Sequence, residues 1–265
     1  MKELKTVLFI GAGNVATHLS QAMQNAGLQV MGIYSRQSHS AQLLAKKLSC
    51  KWGNLSQIET KDIDLIVVSV PDHALTPTLK LIPPSKALLV HTSGSVMMED
   101  LKSYSQKIGV FYPLQTFSKE KSLPFSNIPI MVETNKEEDL KPLENLAERL
   151  SEKVFRINSL QRKRIHIAAV FSCNFTNYLV HIAEDLLEKE QIPFDVIRPL
   201  IEETAEKLKE IRPYHAQTGP AVREDHETMQ NHLNDLDDTP AYKEIYQLLS
   251  QHIIQSRKKE NNDKL

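Results

Sequence analysis

A glycine-rich turn near the start of the chain constrains the fold more than any other feature of the sequence. Gly11, Gly13 and Ala16 form the pattern G-x-G-x-x-A, directly after the apolar run Thr6–Ile10. Gly11 permits a tight turn, Gly13 lets a phosphate approach the backbone, and Ala16 keeps the following helix close to the strand. The pattern predicts a strand–turn–helix unit that binds a dinucleotide; a tight turn that binds nothing is the alternative.

The turn and the end of the next strand are both expected to contact this dinucleotide. Free N–H groups at the start of the helix face the phosphates, and the backbone contacts are expected from Gly11, Gly13, Asn14 and Val15. The second apolar strand is followed by Ser35 and Arg36, with no acidic residue to accept ribose hydroxyls. Because an arginine there can form a charge-assisted fork with a 2′-phosphate, NADP is favoured. A solvated loop charge is the alternative for Arg36.

Up to residue 158, short apolar runs alternate with amphipathic stretches, which is typical of a parallel sheet with crossover helices. The predicted strands are Thr6–Ile10, Gln29–Tyr34, Asp64–Val70, Ala87–His91, Ile108–Tyr112, Ile128–Glu133 and Lys153–Ile157. The predicted helices between them include Val15–Asn25, Ala41–Leu48 and Lys136–Leu150. We therefore expect a doubly wound α/β domain over residues 1–158.

After residue 158 the strand patterns stop and helical patterns take their place. Residues 160–190 form one helical run whose apolar middle predicts burial on most sides. Two more helices follow, Phe194–Glu210 and Pro240–Arg257, with an irregular stretch at 211–225 between them. The expected architecture is therefore an α/β domain followed by an all-α domain over residues 159–265.

The composition excludes several classes of protein. Hydrophobic residues make up 41% and charged residues 25%, which is the balance of a globular chain rather than a disordered one. Thirty-two basic and 33 acidic residues leave a formal charge of −1, so neither nucleic acid nor a membrane surface is expected as a partner. No apolar stretch is long enough to span a membrane, and the first apolar run is too short for a signal peptide. With Cys50 and Cys173 in no metal-binding pattern, we expect a cytoplasmic protein without a metal.

Polar residues follow the predicted strands where ligands of open α/β sheets bind, outside the carboxyl ends. Val70 and Pro71 come at the end of one strand and are expected to flank the cofactor. His91 and Ser93 follow the next strand and are expected on the nicotinamide side. The segment at 112–117 has neither a helical nor a strand pattern, and it forms either a loop over the site or a simple prolyl turn.

Six motifs together resemble a known family. They are, in chain order, GAGNVA, VPDHA, HTSGS, YPLQTF, HIAAVFSCNFTN and TGPAVRED. They resemble bacterial Rossmann-like NADP oxidoreductases that carry a C-terminal domain of unknown function. More distantly, the layout is similar to pyrroline-carboxylate reductase and the β-hydroxyacid dehydrogenases. The resemblance implies an NADP-binding Rossmann domain, a helical domain like that of 6-phosphogluconate dehydrogenase, and a homodimer formed through the helical domain.

The sequence departs from these relatives at two positions. The β-hydroxyacid dehydrogenases have a general acid/base lysine four residues before an asparagine on the interdomain helix, whereas here Val170 precedes Asn174. His166 lies eight residues before the same asparagine. Tyr112 stands where the related pattern HPLQTF has a histidine. The first departure argues against a β-hydroxyacid dehydrogenase mechanism, and the second removes one candidate imidazole.

Hydride transfer to a carbonyl or imine needs an acid for the substrate heteroatom and a substrate anchor. His91, His166 and Asn174 are the candidates for holding and protonating the heteroatom, because an imidazole titrates near neutral pH and the amide lies two helical turns beyond His166. A core or interface histidine is the alternative for His166. Arg223 is the candidate carboxylate anchor, reaching the substrate of its own or a partner subunit. The alternative there is a helix start with Asp225 as an acid in its first turn.

Two hypotheses of different classes follow from these residues. The first is an NADP-dependent oxidoreductase that acts on a small carbonyl or imine metabolite. The second is a non-catalytic NADP-binding sensor or scaffold, which the missing lysine favours. A deazaflavin-dependent NADP reductase is a third possibility, which rests on fold similarity alone.

Overall fold

The computed structural model describes residues 3–119, 121 and 123–262, and the chain divides into two compact units, Met1–Phe175 and Thr176–Leu265. All the described strands lie in the first unit, and the second is helical. The boundary that the sequence predicts after residue 158 falls between the last strand and the next helix; as a division between domains it stays a prediction. Over the described residues, no helix combines the length and apolar character needed to cross a membrane.

Eight strands form one sheet in the order β3-β2-β1-β4-β5-β6-β7-β8. The strands are β1 (Thr6–Ile10), β2 (Gln29–Tyr34), β3 (Lys51–Gly53), β4 (Leu65–Val68), β5 (Leu88–His91), β6 (Ile108–Pro113), β7 (Ile130–Thr134) and β8 (Val154–Arg156). The described helices are α1 (Asn14–Asn25), α2 (Ser38–Leu48), α3 (Asp72–Leu79), α4 (Glu137–Leu150), α5 (Ser159–Ala169), α6 (Thr176–Lys189), α7 (Arg198–Glu210), α8 (Pro213–Ala216), α9 (His226–Asp235) and α10 (Pro240–Asn262). The predicted doubly wound sheet with a helical C-terminal part is confirmed.

The sheet is buried on both faces because its central strands are apolar at nearly every position. In β1, Val7 and Phe9 pack into the core on one face, while Leu8 and Ile10 pack into the core on the other, as the two-residue period of a strand requires. Helices α1, α2 and α4 cover the first face, and α3 contributes to the second. The strand ends that carry the polar residues are therefore held in place by two filled layers.

One strand runs against the predicted direction. β7 pairs with β6 in antiparallel register, with Phe111 opposite Val132, whereas every other pair in the sheet is parallel. A parallel return needs a crossover, usually a helix, and the described residues between these two strands contain only the short turn Phe125–Asn127. The expectation of a wholly parallel sheet is therefore wrong at this one pair.

Several short elements were missed by the sequence patterns. Strand β3 has only three residues, one of them a lysine and one a glycine, so it shows no apolar run. Helix α3 is eight residues long and contains Pro77, a residue that ordinarily ends a helix. Helix α8 lies within the stretch at 211–225 that was predicted to be irregular. Polar side chains dominate α9, so its helical period was not visible in the apolar residues.

The helical run after residue 158 is present but is not buried as predicted. It consists of α5, a π-helical segment Val170–Phe175, and α6. Phe171 is 65% exposed, and Phe175, Tyr178 and Leu179 are also exposed. The prediction of burial on most sides is therefore wrong for this chain. The apolar residues of a helix do not by themselves show which residues, if any, pack against them.

Candidate functional site

The glycine turn between β1 and α1 is fixed by the neighbouring strands. Gly11 has a φ of +115°, and its N–H donates to the carbonyl of Tyr34 at 2.7 Å. A Cβ at Gly11 would stand 2.0 Å from the carbonyl oxygen of Ser69 and 3.3 Å from a methyl carbon of Val70. Only glycine fits here, and the predicted cofactor residue Val70 lies directly beside the turn. Pro71, also predicted, is the residue from which α3 begins.

The start of α1 has the properties of an anion site. A Cβ at Gly13 would meet nothing within 4 Å, so the space next to this backbone is open. No side chain caps the helix at Gly13, and the first N–H groups of a helix have no partner within the helix. The N–H groups of Asn14 and Val15 are therefore available to an anionic ligand, and their part in binding a phosphate stays a prediction.

The end of β2 is followed by an exposed cation. Ser35 follows the strand, is half-buried, and donates its backbone N–H to the carbonyl of Gly53 at 3.2 Å. Arg36 is exposed, and no described residue forms a hydrogen bond or ion pair with its guanidinium. An unpaired arginine followed by the start of α2 leaves a cation and helix N–H groups for an anionic ligand.

The segment after β6 lies against α1, and its interpretation as a loop over the site stays a prediction. The side-chain amide of Asn14 donates to the carbonyl of Phe117 at 2.7 Å, and His18 Nε2 is 2.8 Å from the carbonyl of Ser118. The rings of His18 and Phe117 stack with centroids 5.0 Å apart. Asn14 thus uses its side chain to hold this loop and keeps its backbone N–H for a ligand.

His91, at the end of β5, is fully buried and neutral. Its Nδ1 accepts a hydrogen bond from the N–H of Ser93 at 3.1 Å, and its Nε2 has no partner among the described residues. Burial, together with the nearby positive charge of Arg162, lowers the pKa of His91 to about 3. The neutral ring therefore carries its proton on Nε2, and His91 contributes a fixed hydrogen-bond acceptor to the loop that follows β5.

That loop is held together by serine side chains. Ser93 Oγ accepts hydrogen bonds from the N–H groups of Ser95 and Val96, both at 3.1 Å. Ser95 Oγ in turn donates to a carboxylate oxygen of Asp72, in the first turn of α3. Thr92 Oγ1 lies 3.2 Å from Ser69 Oγ at the end of β4. The predicted residue Ser93 is therefore the centre of a turn that joins the carboxyl ends of two neighbouring strands.

A buried arginine holds the same loop from the other side. Arg162 on α5 has no exposed surface and forms an ion pair with Glu133 at 2.7 Å. Its other nitrogens donate to the carbonyls of Ser93, at 3.1 Å, and Val96. Charged residues are almost never fully buried unless paired in this way. Sequence analysis missed both members of the pair, because nothing local marks two residues so far apart in the chain as partners.

His166 lies one helical turn after Arg162 and meets Tyr112 at the end of β6. Its Nδ1 is 3.1 Å from the tyrosine Oη, and the two rings pack edge to face with centroids 6.2 Å apart. A Cβ at Gly94 would stand 2.5 Å from Nδ1 and 2.9 Å from Oη. The structure thus brings together His166, Tyr112 and the loop after β5, whereas the sequence had counted Tyr112 as the loss of an imidazole.

Asn174 and Arg223, the remaining predicted site residues, are both exposed. Asn174 belongs to the π-helical segment Val170–Phe175, a form of helix that occurs frequently at functional sites. Arg223 lies in the second unit, two residues before Asp225, whose carboxylate accepts from the N–H of Thr228 at 3.1 Å and caps α9. A helix does begin here, as the alternative interpretation has it. Among the described residues, no three His, Cys, Asp or Glu side chains are grouped so as to hold a metal ion.

The fold and the glycine turn together define a Rossmann-type domain followed by a helical unit. The model of the family described as NADP oxidoreductase, coenzyme F420-dependent, matches residues 6–93, and that of a domain of unknown function, DUF2520, matches residues 128–253. A solved structure from Bacteroides fragilis, described as a candidate NADP oxidoreductase, is 41% identical, with a TM-score of 0.88 over 95% of this chain and 98% of its own. The chain therefore belongs to the family that joins these two domains, and the predicted resemblance is confirmed.

More distant structures share the fold. A protein from Thermotoga maritima is 22% identical, with a TM-score of 0.73 over 96% of this chain and 99% of its own. A 1-pyrroline-5-carboxylate reductase from Streptococcus pyogenes is 13% identical, with a TM-score of 0.62 over 94% of this chain and 98% of its own. Among the curated proteins, none matches this chain.

Proposed function

We propose that this chain is an NADPH-dependent oxidoreductase that transfers a hydride between the cofactor and a small carbonyl or imine metabolite. One observation carries the proposal: a single compact unit contains an uncapped phosphate-binding turn, an unpaired arginine after the neighbouring strand, and a tyrosine–histidine pair after β6. These are the parts that bind a nicotinamide dinucleotide and move a proton at its substrate. When bound, the cofactor supplies the hydride.

The cofactor-binding residues divide into two groups by the part of the dinucleotide they suit. The N–H groups of Asn14 and Val15, beside the open space at Gly13, suit the pyrophosphate. Arg36 and Ser35 suit the 2′-phosphate, for which a planar guanidinium offers two parallel hydrogen bonds. We therefore favour NADP over NAD, and no described residue argues specifically for a deazaflavin.

The proton at the substrate heteroatom is assigned to His166. Its ring is partly exposed, and the contact with Tyr112 occupies only Nδ1, so Nε2 is left for the substrate. Asn174, from the π-helical segment, is the proposed partner that orients the heteroatom. His91 retains a role in the site through its acceptor bond to Ser93, because its burial removes it from proton exchange near neutral pH. Arg223 stays the proposed anchor for a substrate carboxylate.

We propose that the active form is a homodimer built through the helical domain. Among the described residues of the second unit, only Ala221, Met229 and Leu236 are buried apolar side chains. Val196 and Leu200, by contrast, are 65% and 67% exposed. A unit of this size with so small a core does not offset its chain entropy. A second copy of the same surface supplies the missing cover with closed symmetry.

A reducing compartment fits this proposal. Cys50 and Cys173 are both free thiols, and neither forms a disulfide in the structure. Free thiols are usual where glutathione keeps cysteines reduced, which is the case in the cytoplasm. We therefore propose a cytoplasmic enzyme whose substrate is a small molecule.

A turnover screen tests the proposed activity. Purified protein with NADPH is offered small 2-keto acids, aldehydes and cyclic imines, and loss of the reduced nicotinamide absorbance is followed. At least one class should consume NADPH, and His166→Ala should lower kcat by about 100-fold while NADPH affinity is retained. His252→Ala, a change at an exposed histidine on α10, is the matched control.

One residue favours the second candidate, a non-catalytic sensor or scaffold. Val170 stands where the β-hydroxyacid dehydrogenases have their lysine, and it begins the π-helical segment instead. Tight NADPH binding without turnover of any substrate class would support the sensor and contradict the enzyme. Reduction of a deazaflavin by NADPH in the same assay would instead support the third possibility.

A further inference from the structure

Tyr112 and His166 meet at a place where neither side chain is free to turn. Tyr112 is on the buried strand β6 and is only 8% exposed, so its ring is fixed by the core beneath it. His166 projects from α5 and places Nδ1 3.1 Å from the tyrosine Oη. The edge-to-face packing of the rings, at an interplanar angle of 74°, leaves the hydroxyl directed at the edge of the imidazole.

The backbone beneath this pair is shaped to admit it. Gly94 lies so close that an added Cβ would come within 2.5 Å of His166 Nδ1. Arg162 donates to the carbonyls of Ser93 and Val96, on either side of that glycine. Because Arg162 and His166 are four residues apart on one helix, they lie on the same face. Helix α5 therefore holds the loop through Arg162 and packs the imidazole of His166 against Gly94.

The role assigned to His166 determines which nitrogen of the neutral imidazole carries the proton. A charged imidazole that gives its Nε2 proton to the substrate becomes a neutral ring with its single N–H on Nδ1, and the tyrosine Oη, 3.1 Å away, accepts from that N–H. Burial raises the pKa of Tyr112, with the negative charge of Asp72 adding to the effect and the positive charge of Arg162 opposing it. The phenol therefore stays protonated at neutral pH and keeps an oxygen lone pair for Nδ1–H. The same oxygen accepts from Nδ1–H when the imidazole is charged, so the ring keeps its orientation.

From this geometry we infer that Tyr112 is the positioning residue of His166, accepting a hydrogen bond from Nδ1–H so that Nε2 is turned toward the substrate and exchanges its proton there. The inference rests on the proposed function, in which His166 supplies the proton. It gives the tyrosine of the YPLQTF motif a role that the sequence alone did not, since the hydroxyl orients an imidazole contributed by α5. Gly94 is part of the same arrangement, because a side chain at this position would displace the imidazole of His166.

Nitrogen-15 NMR of histidine-labelled full-length protein with NADPH bound tests the inference without any substrate. The signals of His166 are assigned by their loss in His166→Gln. The neutral ring of the wild type should show the Nδ1–H tautomer, and Tyr112→Phe, which removes one oxygen and keeps the ring, should show a mixture of tautomers. Tyr104→Phe removes a hydroxyl elsewhere in the same unit and should leave the signals of His166 unchanged.

A kinetic measurement accompanies the spectra where a substrate is known. Tyr112→Phe should lower kcat by roughly 10-fold to 100-fold with NADPH affinity unchanged, and Gly94→Ala should disturb the His166 signals in the same way. A wild-type Nε2–H tautomer, or a tautomer unchanged in Tyr112→Phe, would overturn the inference. Because the tautomer is measured without turnover, the NMR result can be obtained and judged even if the protein shows no oxidoreductase activity.

Discussion

The two units of the chain differ in how far their apolar side chains are buried. In the first unit, both faces of the sheet are filled, and Phe9 and Phe111 have no exposed surface. In the second, Leu200 and Val196 are about two-thirds exposed among the described residues. The sheet unit is thus shaped by its own core, and it is also the unit in which the cofactor turn and the Tyr112–His166 pair lie. The helical unit leaves large apolar side chains exposed.

The charged side chains differ between the units in the same sense. Arg162 and Glu133 form their ion pair inside the first unit, where each is satisfied by further hydrogen bonds. The ion pairs described in the second unit, such as Lys189 with Asp238 and Lys209 with Glu206, lie on the surface. Exposed pairs contribute little to stability, whereas breaking a buried pair leaves an uncompensated charge. The comparison therefore predicts that removing a buried charged side chain lowers the free energy of unfolding more than removing an exposed one.

The largest effect is expected at the buried arginine. Arg162→Ala strands the Glu133 carboxylate and releases two backbone carbonyls, so the free energy of unfolding should fall by about 3–5 kcal/mol. Arg164→Ala, two residues further along the same helix and exposed, should change it by less than about 0.5 kcal/mol. Denaturant titrations of both variants measure the difference. Equal losses would show that the pair does not hold the loop after β5.

The next effect contrasts two leucines of the same size. Leu19→Ala, in the filled core of α1, should lower the free energy of unfolding by about 2–5 kcal/mol at every protein concentration. Leu200→Glu, on the exposed face of α7, should act through assembly and shift the protein from dimer to monomer in sedimentation. Leu81→Glu, a change at a half-exposed leucine of the first unit, should remain dimeric. A wild-type protein that sediments as a monomer would contradict the proposed dimer.

A smaller effect is expected from the buried imidazole. Above a pH of about 6.5, His91 is neutral in the folded and the unfolded chain, and its pKa makes no difference to stability. As the pH falls from about 6.5 to about 3, the unfolded chain binds a proton that the folded chain excludes, so stability decreases. His91→Asn keeps an acceptor for Ser93 and should remove about 1–3 kcal/mol of this pH dependence. An unchanged pH profile would show that His91 is not held neutral.

Much of the sheet could be predicted from the sequence, because strands buried on both faces consist of continuous apolar runs such as Thr6–Ile10. The reversed direction of β7 could not be predicted from its own residues. It depends on the connection from β6, whose described residues contain no crossover helix. Helix α3 was not predicted because Pro77 disfavours a helix. Its neighbours Leu75 and Leu79 pack against the sheet, and this packing outweighs the local preference.

The candidate site was only partly visible in the sequence. The glycine turn and Arg36 carry local signals, because their chemistry depends on adjacent residues. The contacts of Arg162 and of Tyr112 join segments far apart in the chain, and no spacing rule connects them. Gly94 offered one usable signal: a glycine after a buried strand indicates the close approach of another group, though not its identity.

Calorimetric titration with NADPH and, separately, with NADH tests the central claim most directly. The account predicts tight binding of NADPH and weak binding of NADH by the wild type. Arg36→Ala should weaken NADPH binding by about 10-fold to 100-fold, the value of a lost charge-assisted contact, and leave NADH binding unchanged. Equal losses for both cofactors would contradict the assignment of Arg36 to the 2′-phosphate. If neither cofactor bound, the uncapped turn at α1 would not be a dinucleotide site, and the oxidoreductase account would fail.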